Sequence, residues 1–575
     1  MVTTTFASHL GPAERAQAWR DLGEGEFDVL VVGGGVTGTG AALDAATRGL
    51  RTALVEARDL ASGTSSRSSK LFHGGLRYLE QLNFRLVREA LKERELMLTH
   101  IAPHLVRPVP FLYPLTHHAW ERPYVAAGLT LYDRLGGARS VPGQRHLTRG
   151  GALQRFPGLR RDALVGAVQY YDAQADDARH TFTVARTAAH YGATVRSSTE
   201  VVEMVREADR VVGAVVRDVE TGETKTVRAK VVVNATGVWT DDLQRLSGGR
   251  GRFRVRASKG VHIVVPRDRI AGEVGLILRT ERSVLFVIPW GQHWIVGTTD
   301  TDWTYDLAHP AATAADLDFI LEHVNRVLSV PLTRDDILGV YAGLRPLLAG
   351  ESEDTSQLSR EHAVARPQPG LISIAGGKYT TYRVMAADAI DAAAADLGPI
   401  PESVTEHVPL VGADGYHAMV NLTRELAREH NLPRWRVEHL LGRYGSLLGE
   451  VLALGEEDPS LLEPVPAAQE YLRAELRYAA THEAALHLDD ILARRTRMSI
   501  ETKHRGVDAA QETADLVRDV LGWDDDQVRA EVDSYTQRVV AERRSQELGD
   551  DAASDAARRE APEVRPGLRH VTATR

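Results

Sequence analysis

The 575-residue chain has no cysteine. That excludes disulfides, redox-active cysteine pairs, cysteine-linked cofactors and cysteine-ligated iron–sulfur clusters together, and it fits a reducing compartment. No stretch reaches ~18 consecutive apolar residues, so no membrane-spanning helix is expected. The N-terminal "MVTTTFASHLGPAERAQAWRDLGEGEF" lacks the apolar core of a secretory signal. Aromatic residues make up only 6% of the chain, yet 43% is hydrophobic and 26% charged, the balance of a soluble globular protein. Basic residues are not in surplus: 69 Lys and Arg stand against 78 Asp and Glu, a formal net charge of −9, which argues against nucleic acid as a partner. The 22 histidines show no metal-ligand spacing, and no internal repeat is present. Length alone suggests about three or four domain-sized units.

The most informative stretch present is "DVLVVGGGVTGTGAALDAATRGLRTALVEA", from Asp28 to Ala57. Val29 to Val32 is the continuous apolar run of a strand buried on both faces. Gly33, Gly35 and Gly38 then form G-x-G-x-x-G, which permits a tight turn, lets a pyrophosphate approach the backbone and lets the next helix pack closely. Gly40 to Arg48 reads as that helix, its N-terminal N–H groups turned to the anion. Ala53 to Val55 is a second strand, with Glu56 at its tip to accept hydrogen bonds from a ribose. A carboxylate there favours an unphosphorylated ribose, hence FAD or NAD over NADP.

Two later units decide between these. "VVVNATGVWTDD" carries Ala235 and Gly237 at a strand end, and "LISIAGGKYTTYR" carries Gly376 and Gly377 between a strand and a helix. Three strand ends converging on one long ligand suit FAD, the third aiming a helix N-terminus at the flavin O2/N1 region. Only one G-x-G-x-x-G follows a strand and opens a helix, so electrons are expected from a substrate directly and not from NAD(P)H. Along the chain, residues 1–26 read as a leader with a short helix starting near Pro12. Strand and helix signals alternate over 27–400, and 401–545 is helix-patterned, with apolar residues at i, i+3, i+4. The alanine-rich, charged tail 546–575 has little apolar patterning and is expected to be disordered.

The segments "TSSRSSKLFHGGLRYLE", "KGVHIVVP", "VYAGLRPL", "LSREH", "GGKYTTYR" and "HLDDILARRTRMSIET" closely resemble the FAD-dependent glycerol-3-phosphate dehydrogenases, from about Asp28 to about Val540. HGGLRYLE and GGKYTTYR are the specific pieces; the glycine fingerprint is shared by many flavoproteins. The resemblance implies an α/β FAD-binding domain of the glutathione-reductase-like Rossmann type, interleaved with a mixed-sheet substrate domain, plus a C-terminal all-α domain. It implies oxidation of sn-glycerol 3-phosphate to dihydroxyacetone phosphate by hydride transfer to FAD. Electrons would then pass to a membrane quinone, reached by peripheral contact with the inner face of the cell membrane from the cytoplasm. A homodimer is left open.

Residue by residue, the resemblance points to Arg345, Arg360 and Lys378 for the phosphate, and to Arg77 and Tyr78 for substrate hydroxyls or phosphate. His262 would take the hydroxyl proton, with Arg345 beside it in the catalytic site. Ser65, Ser66, Ser69 and Lys70 are expected near the pyrophosphate and flavin. His73, with Gly74 and Gly75, is expected against the isoalloxazine, where a covalent histidyl link is not the favoured reading. Val201 is expected to offer backbone contacts on the adenine side, and Thr380 joins Gly376, Gly377 and Lys378 around the flavin. The chemistry suits these types. Imidazole titrates near working pH, and a guanidinium fork matches phosphate oxygens. Arg345 also lies between Leu344 and Pro346, where an unpaired charge would be costly. Two departures are visible: Val261 stands where the family often has a small hydroxyl residue, and the tail lies outside the common core. Three other readings stay in view: a glycerol-3-phosphate oxidase using O2 and yielding H2O2, an amine or amino-acid oxidase that would gain nothing from the cationic trio, and a flavin-binding sensor whose helical domain is the output.

Overall fold

The computed structural model describes residues 8–75, 83–117, 120–136, 140–248, 254–280, 284–349 and 361–568. The apolar run Val29–Val32 lies in strand Glu26–Val32, in which Val29, Leu30 and Val31 have no exposed surface. This strand sits at the centre of a parallel set in the order Leu371–Gly376, Thr224–Asn234, Glu26–Val32, Thr52–Val55, Thr194–Arg196. Parallel neighbours require crossovers, so both faces must be covered. Helices Val36–Thr47, Asp177–His190 and Tyr382–Leu397 pack on one face. On the other lies the antiparallel hairpin Thr199–Glu207 with Arg210–Asp218, extended by the start of Thr224–Asn234.

The chain visits a second, mixed sheet between visits to the first. It leaves after Val55 to form Leu71–Phe72, Arg107–Leu115 and Gly166–Gln174, then returns for Thr194–Arg196 through Asn234. It leaves again for Val255–Pro266 through Gly339–Leu348 and comes back with His362–Gln368 and Leu371–Gly376. The two long strands Val255–Pro266 and Gly339–Leu348 pair antiparallel, which sets Ser258 opposite Arg345 and His262 opposite Tyr341.

Beyond residue 401, helices Arg434–Tyr444, Leu448–Glu457, Arg473–His482, Val507–Leu521 and Asp525–Ser545 enclose two apolar clusters of their own. Buried ion pairs help tie this domain to the sheets. Arg494 Nε donates to Asp59 Oδ2 (2.5 Å), and both terminal nitrogens of Arg495 donate to Asp59 (2.6 Å each). Arg497 Nη2 donates to Asp176 Oδ1 (2.5 Å) and Asp177 Oδ1 (2.6 Å). Burial alone would raise the Asp176 carboxyl, but Arg497 and then Lys70 outweigh it and hold it well below the usual carboxylate range. Buried carboxylates of this kind persist only because each meets a buried cation.

The tail departs from the expectation of disorder. Residues Asp551–Arg558 form a helix, capped by Asp550, whose side chain accepts from Ala553 N (2.8 Å). Asp551 pairs with Lys259, Asp555 Oδ1 accepts from Asp306 N (3.1 Å), and Arg565 Nη2 donates to Asp490 Oδ2 (2.8 Å). Through residue 568 the tail is held by polar docking onto distant elements, contacts that hydrophobic patterning does not reveal.

Candidate active site

The ends of the parallel strands open on one cleft of about 1490 Å³. Glu56, after Thr52–Val55, and Gly376, at the end of Leu371–Gly376, lie three strand steps apart, so the cleft runs across roughly 14 Å of sheet edge. Its floor is backbone. Gly33 adopts φ +114°, and a Cβ there would lie 2.7 Å from Ala235 O; one on Gly38 would lie 1.9 Å from Gly33 O. Only glycine allows that turn and that approach of helix to strand. A Cβ on Gly237 would have nothing within 4 Å, and one on Gly35 would meet only Ser65 Oγ at 3.3 Å, so at both positions the main chain faces open space.

Glu56 is held at the tip of its strand by two backbone donors, Gly34 N (2.6 Å) and Arg58 N (2.7 Å). Burial pushes its carboxyl up against those donors. Each oxygen keeps a second lone pair. Ser65 Oγ accepts from Val36 N (2.9 Å), pinning the segment 64–66 to the first turn of helix Val36–Thr47. An elongated cleft with a backbone floor, a helix N-terminus, a carboxylate toward one end and Lys378 toward the other fits a dinucleotide of the size of FAD.

Of the residues singled out in the sequence, Gly33, Gly35, Glu56, Ser65 and Val201 line this cleft, as do Ala235, Gly237, Gly376, Gly377 and Lys378. Gly38, Ser66, Ser69, Lys70, His73, Gly74, Gly75 and Thr380 are not on its wall. Lys70, expected near the pyrophosphate, is enclosed: its ammonium donates to Asp177 Oδ1 (2.7 Å) and Ser66 O (3.2 Å), so its charge is committed to that carboxylate. Thr380 Oγ1 accepts from His73 N (3.2 Å), clamping the HGG segment to the strand end that bears Lys378, and Gly74 N donates to Tyr132 Oη (2.8 Å). Gly75 takes a left-handed φ of +77°. Arg77, Tyr78 and Arg360 lie outside the described residues.

Arg345 and His262 come together on the long strand pair beside the cleft. The guanidinium lies over Gly260, where a Cβ would fall 2.4 Å from Nη2. Its Nη2 donates to Thr298 Oγ1 (3.0 Å) and Thr299 O (3.2 Å), and its Nη1 to Ser258 Oγ and Asp300 Oδ1 (3.3 Å each). His262, two residues along from Gly260, is 2% exposed and stacks on Tyr341, with ring centres 4.8 Å apart and planes 8° apart. Its Nε2 shares a hydrogen with Ser69 Oγ (2.9 Å), while Nδ1 has no hydrogen-bond partner among the described residues. Burial, then Arg345 and Lys70, hold the imidazole pKa well below its ordinary value, so the ring is neutral at pH 7 and available as a proton acceptor.

Several contributors went unnoticed in the sequence. Asp177 Oδ2 accepts from both N (2.8 Å) and Oγ (2.7 Å) of cleft-lining Ser68, and Asp177 O accepts from Tyr379 Oη (2.6 Å). Asp300 and Thr298 orient Arg345, and Tyr341 orients His262. A readable signal existed for one of them: "ADDARH" opens an almost wholly buried helix with paired acids, and "LARRTR" supplies matching bases in an apolar segment.

The family described as FAD dependent oxidoreductase matches residues 28–383, and the C-terminal domain of alpha-glycerophosphate oxidase matches residues 403–528. The chain is 66% identical over 560 residues to glycerol-3-phosphate dehydrogenase 2 of Mycobacterium tuberculosis, covering 97% of this chain and 96% of that one. It is 39% identical over 538 residues to the mitochondrial glycerol-3-phosphate dehydrogenase of Homo sapiens, covering 89% of this chain and 73% of the relative. Among solved structures, the glycerol-3-phosphate dehydrogenase of Bacillus halodurans complexed with FAD superposes with a TM-score of 0.77 at 29% identity, covering 92% of this chain and 97% of that one.

Proposed function

The chain belongs to the FAD-dependent glycerol-3-phosphate dehydrogenase family, and from that premise we propose that it oxidises sn-glycerol 3-phosphate to dihydroxyacetone phosphate, bound FAD supplying the hydride acceptor. The observation that carries this reading is the pairing of a fixed guanidinium, Arg345, with a neutral imidazole, His262, beside a cleft built for a dinucleotide. A substrate that is both a phosphate dianion and a secondary alcohol needs both groups. Arg345 offers a positive charge to the phosphate from a position fixed beforehand by Thr298 and Asp300. Lys378 brings a second cation from the cleft wall, and the family resemblance adds Arg360, Arg77 and Tyr78. With Nε2–H donating to Ser69 Oγ, His262 keeps the lone pair of Nδ1 to accept the hydroxyl proton. Neutrality matters here, because an imidazolium beside Arg345 could accept nothing.

The reduced enzyme passes its electrons to a membrane quinone in this reading. No helix among the described residues is long and apolar enough to cross a bilayer. In this reading the protein approaches the quinone as a peripheral protein on the cytoplasmic surface of the membrane. Anaerobic titration of the FAD-loaded protein with glycerol 3-phosphate tests the reading: the flavin absorbance should bleach, then return faster with a soluble quinone than with air. His262→Ala should slow the bleaching about a hundredfold or more while leaving substrate affinity largely intact. A flavin that stays oxidised at millimolar substrate would refute the assignment, and a normal bleaching rate in His262→Ala would remove that residue as the base.

A further inference from the structure

Between the sheets and the C-terminal helices, two adjoining chambers of about 700 and 650 Å³ share walls at Arg67, His309, Arg494, Arg538 and Arg558; the second also shares Arg58 and Ser62 with the dinucleotide cleft, the first does not. Arg497 lines the first chamber, whose wall carries a single carboxylate, Glu542. Two of these arginines are neutralised from behind: Arg494 by Asp59, Asp489 and Asp490, and Arg497 by Asp176 and Asp177. The others are not matched one for one. Arg538 reaches Asp489 Oδ1 (3.0 Å) and Glu542 Oε1 (3.0 Å), and its Nη1 has no hydrogen-bond partner. Arg558 reaches the same Glu542 oxygen only at 3.5 Å, and approaches His309 Nδ1 at 3.4 Å.

Arg67 donates to Ala308 O (3.0 Å) and has no carboxylate within ion-pair distance among the described residues. Behind Gln546 on the wall, Arg505 donates to that amide (2.8 Å), leaving Nε and Nη1 without partners at 5% exposure. In the first chamber Arg67, Arg538 and Arg558 thus face one carboxylate, Glu542, and Arg538 shares Asp489 with Arg494; of the other acids on the second chamber's wall, Glu563 is taken by Arg58 and His309 and Glu531 by His487. Burial, then Arg494, Arg538 and Arg558, push the Arg67 guanidinium down to about 10. His309 is pushed down to about 4 by burial and then Arg558, so it is neutral and can accept from Arg558. A buried surplus of positive charge is expensive unless an anion completes it.

We propose that this arginine-lined chamber is a second anion site, separate from the substrate phosphate cradle, that takes a small phosphorylated ligand with at least two negative charges. The convergence of guanidinium groups suits phosphoryl oxygens. The inference does not depend on which alcohol is oxidised. Its placement also gives such a ligand a route to the flavin: Thr64 and Ser65 line the dinucleotide cleft, while Ser66 and Arg67, the next two residues, line the chamber.

Calorimetric titration of the FAD-loaded enzyme with pyrophosphate, in the presence and absence of saturating glycerol 3-phosphate, tests this. Saturable binding at one per chain is expected, undiminished by glycerol 3-phosphate. It should weaken about tenfold or more in Arg67→Gln and by less in Arg67→Lys, which keeps the charge but not the guanidinium. FAD content and thermal midpoint of each variant, measured without pyrophosphate, establish that it is folded; if Arg67→Gln fails to load flavin, Arg558→Gln is read in the same way. Three results would overturn the proposal: no saturable binding up to about 10 mM pyrophosphate, binding abolished by glycerol 3-phosphate, or unchanged binding in the folded glutamine variants.

Discussion

Replacing Arg345 with glutamine removes a charge from a group whose surroundings are already arranged. The guanidinium is anchored by Thr298, Thr299, Ser258 and Asp300, and its side chain retains 21% exposure. A charge-assisted hydrogen bond to phosphate contributes about 1.5–3 kcal/mol. At about 1.4 kcal/mol per decade, Arg345→Gln should raise the dissociation constant of glycerol 3-phosphate by roughly 10–10². The same change takes the guanidinium from Asp300, whose side chain is 5% exposed, and losing one partner of such a pair costs about 3–5 kcal/mol of stability. Arg345→Lys separates the two effects. It keeps a cation for Asp300 but withdraws the charge from the position that the four anchors fix, so stability should be largely kept while affinity falls about 3- to 10-fold. Anaerobic stopped-flow bleaching of the flavin over a range of substrate concentrations gives the dissociation constant, and absorbance of flavin released on denaturation gives the loading. A folded, fully loaded Arg345→Lys enzyme with unchanged substrate affinity would remove Arg345 from the phosphate cradle.

Gly35→Val should abolish FAD retention, because its side chain would project from the cleft floor beside Ser65 Oγ; a yellow, fully loaded variant would end the cleft assignment. Acid should weaken the fold well above the ordinary carboxylate range. Burial lowers both His104 and His180 to about 3, so they stay neutral when folded while the unfolded chain takes up their protons below pH 6.5. Their contribution is therefore lost as pH falls from 6.5 toward 3, by about 3 kcal/mol for the pair at pH 5 relative to pH 6.5. Urea midpoints that do not move between those two pH values would contradict this.

Local features carried the first part of the structure into view. The apolar run Val29–Val32, the glycines at 33, 35 and 38 and the acid at 56 are neighbours in sequence, and their geometry is set by the strand–turn–helix they encode. The glycine pair at 376 and 377 was legible for the same reason. Arg345 was legible as a charge in an apolar stretch, but its anchor Asp300 lies 45 residues away and is met only through strand pairing. The partner of Lys70 was not legible, because Asp177 is 107 residues distant. The helix Asp551–Arg558 escaped notice since its buried face includes Ser554, Asp555, Ala557 and Arg558, in which no apolar stripe exists. Pattern reports what a segment hides from water; it is silent about which opposite charge, hundreds of residues off, a segment will meet.

The Asp59 ion pairs bear on how the molecule comes into being. Asp59 leaves the ribosome 435 residues ahead of Arg494, an interval of roughly 20–90 s at 5–20 residues per second. Throughout that time the earliest nucleotide-binding segments contain a carboxylate destined for a dry interior but without its counterions. Maturation of the N-terminal half, and with it uptake of the prosthetic group, is thereby tied to completion of the chain, and a nascent protein interrupted before Arg494 is left soft and open to proteases.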